Sequence, residues 1–77
     1  MAIKVKFFAS LREKTGRAEE SVEFSTGLTA SQVWSRATDG AAPPEKLMVA
    51  VNMEYVRGDP VLQDNDEVAF FPPVTGG

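Results

Sequence analysis

The sequence predicts a small α+β fold in which a mixed sheet is packed on one side by one principal helix. Three observations carry that reading. In "IKVKF", Ile3, Val5 and Phe7 alternate with Lys4, Lys6 and Phe8, the period-two pattern of a strand with one face in a core and one in solvent. Ala30, Val33, Trp34 and Ala37 fall at i, i+3, i+4 and i+7, which makes one apolar helical stripe to lay against a sheet. "LMVAVN" is a nearly continuous apolar run of high strand propensity and suits a central strand.

Taken in order, residues 2–8 form the first strand. "SLREKTG" reads as a short helical turn, with Ser10 placed to cap its start and Gly16 suited to a left-handed stop. A second strand follows at about 18–24, where Val22 and Phe24 share a face. The main helix starts at a possible capping box, Thr29 with Gln32 three residues on, and Leu28 is the first half of a hydrophobic staple. It stops by Gly40, and "AAPPEK" is a loop. The central strand occupies 47–52. "NMEYVRGDPVLQDNDE" holds two turn-rich stretches around a short extended piece near Tyr55 and Val56. "EVAFF" is a strand that Pro72 must end, because proline has no N–H to give to a ladder. No repeat, low-complexity tract or second domain is visible. The organisation expected is one domain over 1–72 and a flexible tail over 73–77.

Composition narrows the chemistry. At 77 residues the chain is near the size where one core buries only about 60% of the surface of the unfolded chain. It contains no cysteine and no histidine, which excludes disulfides, thiolate or imidazole metal sites, a Cys nucleophile and a histidine base. Any chemistry must use carboxylates, lysines or a chain terminus. Eight basic residues stand against eleven acidic ones, without a basic run, so nucleic-acid binding is disfavoured. The opening "MAIKVKFFAS" is too short and too interrupted by lysine for a signal peptide. No stretch approaches the roughly 20 apolar residues of a membrane span. A cytoplasmic protein without a membrane partner is expected.

Most polar clusters read as turns. "DNDE" (Asp64 to Glu67) gathers three carboxylates but lacks the spacing and glycine of a calcium loop, and Asp and Asn are ordinary before a strand. No metal site is therefore expected. Gly58, Asp59 and Pro60 in "RGDP" make another turn, and the six glycines form neither a phosphate loop nor a dinucleotide fingerprint. Trp34, on the helix stripe, reads as a core anchor.

Two aromatics stand apart. If Ile3, Val5 and Phe7 face the core, Phe8 lies on the lysine face; if Val68 and Phe70 face the core, Phe71 points away with Ala69. The alternative is that Phe8 tucks under the first turn and Phe71 under a loop. On the solvent face they make a patch suited to docking a partner, and Tyr55 on the short extended piece extends it.

The chain closes on "PPVTGG". Pro72 and Pro73 favour the stiff polyproline II form and push the residues before them extended, so the last strand must project instead of pairing onward. From Pro73 to Gly77 the chain can reach on the order of 15 Å. Val74 and Thr75 are followed by Gly76 and Gly77, which can thread a channel too narrow for a β-carbon. Such a device suits delivery of the Gly77 carboxylate into another protein. Composition alone also allows a plain linker.

The stretch Leu47 to Gly77, "LMVAVNMEYVRGDPVLQDNDEVAFFPPVTGG", resembles the C-terminal half of the MoaD family, the sulfur-carrying small subunits of molybdopterin synthases, and "IKVKFFASLREKTG" resembles that family's N-terminal block. The Gly-Gly end is shared with thiamine sulfur carriers and ubiquitin-like modifiers, whereas "DEVAFFPPVTGG" as a unit is more specific. The resemblance implies a ubiquitin-like β-grasp fold with a sheet of about five strands. It also implies that a ubiquitin-activating-like enzyme uses ATP to adenylate the Gly77 carboxylate, and that a sulfur source then displaces AMP to leave a thiocarboxylate. The synthase large subunit, in a heterotetramer, directs that sulfur onto cyclic pyranopterin monophosphate during molybdenum cofactor biosynthesis. The chain itself would bind no cofactor, and the catalytic groups would belong to its partners. A thiamine thiazole carrier, a protein modifier and a purely non-covalent binding module are the competing functions.

Overall fold

The computed structural model describes residues 1–43 and 46–72. The strands are β1 (Ala2–Phe7), β2 (Glu19–Glu23), β3 (Met48–Val51), β4 (Glu54–Val56) and β5 (Glu67–Phe71); the helices are α1 (Ser10–Thr15) and α2 (Ala30–Ala37). They form a five-stranded sheet in the order β2-β1-β5-β3-β4. β1 and β5 run parallel at its centre, and the other pairs are antiparallel. The expected elements are all present, each strand ending within a residue or two of its sequence-derived bounds.

Side-chain alternation decides what lies on each face. Ile3, Val5 and Phe7 of β1 and Val68 and Phe70 of β5 are buried, and they meet Leu28, Val33, Trp34 and Ala37 from the helix side. Phe7, Trp34 and Phe70 form an aromatic centre: Trp34 stands edge-on to both phenylalanines, at centroid distances of 5.8 and 5.1 Å. The Trp34 indole N–H donates to the Ala41 carbonyl at 2.9 Å, so this anchor is buried without an orphaned donor.

The start of α2 follows the sequence closely. The Gln32 amide donates to Thr29 Oγ1 at 3.4 Å, and the Thr29 amide donates to Gln32 Oε1 at 3.0 Å, completing the capping box. Leu28 and Val33 both enter the core cluster, as a hydrophobic staple requires.

The start of α1 differs from expectation. Ala9 occupies the cap position with φ 53° and no side-chain bond, so Ser10 is the first helical residue and not the cap. The cause is tertiary. The Phe8 amide still donates to the Phe70 carbonyl, and the chain must then turn sharply to seat Leu11 in the core. Gly16 ends α1 at φ 71°, where its amide donates to the Arg12 carbonyl, in the left-handed conformation a β-carbon disfavours.

Candidate docking face and tail root

The site is built on the sheet face turned away from α2. Strand alternation puts Lys6, Ala69 and Glu67 there, and β3 contributes Ala50, opposite Ala69 in one register and opposite Tyr55 of β4 in the other. The two alanines are small, so they form the floor of a shallow groove of about 210 Å³ whose walls include Phe8, Phe71, Tyr55 and Met53. Lys6 Nζ and Glu67 Oε1 lie 3.4 Å apart at its edge, a partly exposed ion pair worth little for stability.

The three aromatics expected on this face are brought together. Phe8 and Phe71 stack with centroids 4.7 Å apart and planes 7° from parallel, and Tyr55 lies 5.6 Å from Phe71 at 51°. Phe8 is 39% exposed and Tyr55 66%, while Phe71, between them, is half-buried. Phe8 does not tuck under the first turn. The parallel β1/β5 pairing is the reason, because it continues one residue past Phe7 and leaves both rings on the outer surface.

Pro72 follows Phe71 directly, so the aromatic patch sits at the root of residues 73–77. The expected threading residues Val74, Thr75 and Gly76, the reactive Gly77, and the tail boundary at 73 lie outside the described residues.

The polar clusters are occupied by structure. Asp66 Oδ2 accepts from the Gln63 amide and its Oδ1 from Asn52 Nδ2, while Asn65 takes φ 69°, so "DNDE" is a turn pinned to the β3–β4 hairpin. Asp59 has a role that reading "RGDP" as a turn did not reveal. Its carboxylate accepts from the Ser31 amide at 2.7 Å and the Ser31 hydroxyl at 2.6 Å, clasping the first turn of α2. Desolvation pulls the Asp59 carboxyl upward, but the hydrogen bonds from Ser31 and Thr29 outweigh it and leave the group below the ordinary aspartate value. Sequence reasoning also missed Met53 and the Lys6–Glu67 pair. The signal available for the groove was the pair of alanines, poor strand formers placed in two strands.

The ThiS family model matches residues 5–77. This chain belongs to the ThiS family. It is 45% identical to the molybdopterin synthase sulfur carrier subunit of Escherichia coli (strain K12) in an alignment 80 positions long that covers 97% of this chain and 99% of the relative. Among solved structures, SAMP1 from Haloferax volcanii superposes with a TM-score of 0.77 at 26% identity, covering all of both chains. A putative molybdopterin converting factor subunit 1 from Pyrococcus furiosus gives a TM-score of 0.73 at 31% identity over 96% of this chain and 99% of that one. The fold is the ubiquitin-like β-grasp of this family, and the resemblance first visible in the two terminal blocks extends along the whole chain.

Proposed function

We propose that this chain is the sulfur-carrier subunit of a molybdopterin synthase and that it carries sulfur as a thiocarboxylate on Gly77. The observation that carries the reading is the 45% identity to a protein of that name over essentially the full length of both. A docking face at the root of the tail supports it.

The chemistry explains why a carrier needs no histidine or cysteine. A glycine carboxyl with a pKa of about 3.5 is an anion at neutral pH and a very poor electrophile. An activating enzyme therefore joins it to AMP from ATP, releasing pyrophosphate, and a sulfur donor displaces AMP at the carbonyl carbon. The soft sulfur is then a nucleophile. The large synthase subunit directs it onto cyclic pyranopterin monophosphate, and two transfers build the dithiolene that later holds molybdenum. ATP, the substrate and the catalytic groups all belong to the partners, and this reading places the chain in the cytoplasm, in a heterotetramer with the large subunit.

One structural likeness favours a second reading. SAMP1 from Haloferax volcanii, a small archaeal modifier protein, shares the fold over its whole length. A modifier would form an amide from the same activated carboxyl to a lysine amine, losing the leaving group and carrying no sulfur. Intact mass of the untagged chain from its native host, with and without a co-purifying large subunit, distinguishes the two. Replacement of one oxygen by sulfur and capture of the large subunit are expected. A chain found only as lysine conjugates would overturn the carrier reading.

A further inference from the structure

We propose that Met53 is a further anchor of the docking face, a side chain held out to insert into an apolar recess of the synthase large subunit when that subunit receives the tail. The inference rests on the carrier reading above and deepens it, because it names a contact residue specific to this surface.

Asn52 and Met53 are the two residues between Val51 and Glu54, which pair across the β3–β4 hairpin, and their φ angles are 51° and 70°. Positive φ at both central positions is the mark of a type I′ turn, whose preferred sequence is Asn-Gly. Asn52 has a reason to be there. Its amide donates to the Glu67 carbonyl, its Nδ2 to Asp66, and its Oδ1 accepts from the Glu67 amide at 3.0 Å. Met53 stands where glycine is preferred, in a backbone conformation unfavourable to a β-carbon, and its side chain is 88% exposed. The fold therefore tolerates both a strained backbone and an apolar side chain in water at one position. Among the described residues Met53 is no part of the core cluster, so packing of the core does not explain a methionine there.

What the side chain does is line the groove with Phe8, Tyr55 and Phe71. At about 210 Å³ the groove is smaller than the roughly 300 to 1,000 Å³ of small-molecule sites, so it suits an apolar side chain of another protein. The occupant follows from the tail. With chemistry at Gly77, the protein that acts there lies within on the order of 15 Å of Pro72, the reach of five residues, and must abut the patch from which the tail springs. Methionine is unbranched and polarisable and adapts to an irregular apolar surface. The partner surface is thus apolar opposite Met53 and Phe71, with polar groups toward Lys6 and Glu67.

The test sets stability against binding. Met53→Gly removes the strain and the side chain together, so its Tm should rise while affinity for the molybdopterin synthase large subunit, measured by calorimetric titration, falls about fivefold or more. Met53→Leu keeps the apolar volume and should bind within about twofold of the unaltered chain. Unchanged affinity of Met53→Gly, in a titration where Phe71→Ala weakens binding, overturns this inference alone. Failure of the unaltered chain to bind the large subunit overturns the carrier reading and the inference with it.

Discussion

Phe8 and Phe71 stack nearly in parallel at 4.7 Å, although one follows the first strand and the other ends the last. Offset-stacked aromatics are favourable beyond their buried area, but Phe8 is still 39% exposed and Phe71 half-buried, so part of the pair's apolar area is available to a partner. Adjacent residues of β5 thus have opposite duties. Phe70 is 1% exposed and packs on Phe7 and Trp34, while Phe71 meets Phe8 and Tyr55 outside.

The two truncations should accordingly separate folding from docking. Phe70→Ala leaves a cavity at the aromatic centre and should destabilise by about 3 to 5 kcal/mol. Phe71→Ala should cost far less in stability but weaken binding to the large subunit by about 2 kcal/mol or more, roughly thirtyfold. Urea titration and a binding isotherm of both variants check this. Equal loss of stability in the two would reverse the assignment of faces.

A second expectation concerns the last residues. Among the described residues the core cluster reaches no further along the chain than Phe70, and changes at Gly76 and Gly77 should leave Tm unaltered. Gly76→Val adds a branched side chain where the tail is proposed to thread, and should severely reduce adenylation or sulfur transfer. Residues added after Gly77 remove the reacting carboxyl and should abolish both. A tagged, unprocessed chain that still transferred sulfur would show that the reaction lies elsewhere.

Legibility in the sequence follows the range of the physics involved. Period-two alternation in "IKVKF" and "EVAFF" assigns faces from nearest neighbours, and so Phe8, Phe71 and the core set Ile3, Val5, Phe7, Val68 and Phe70 were all readable. The α2 capping box was readable because its partners, Thr29 and Gln32, are three residues apart. Ser10 misled because the competing demand, the burial of Leu11, is tertiary. The Asp59–Ser31 clasp joins residues 28 apart, and no local pattern announces it. Met53 was hidden differently: its significance lies in a backbone angle that its residue type does not suggest.

That clasp carries the last prediction. Asp59 holds the β4–β5 connection to the start of α2, where the Ala30 amide also donates to the Pro60 carbonyl and the Leu62 amide to the Leu28 carbonyl. Its hydrogen bonds favour the ionised form, so its carboxyl titrates lower in the folded chain than in the unfolded one. A depressed carboxyl contributes stability that is fully present above the unfolded value, near 3.9, and is lost as pH falls through the folded one. The group is exposed and screened by solvent, so its contribution belongs at the lower end for helix-start acceptors, about 0.5 to 1 kcal/mol. Asp59→Ala should therefore lower Tm at pH 7 by about 2 to 8 °C in a domain of this size. The gap between variant and unaltered chain should narrow once pH drops below about 4, as Asp59 becomes protonated in the latter. Thermal melts from pH 7 down to pH 3 measure it directly, and a gap that widened toward acid would mean that Asp59 titrates upward on folding and that its bonds to Ser31 do not govern its charge.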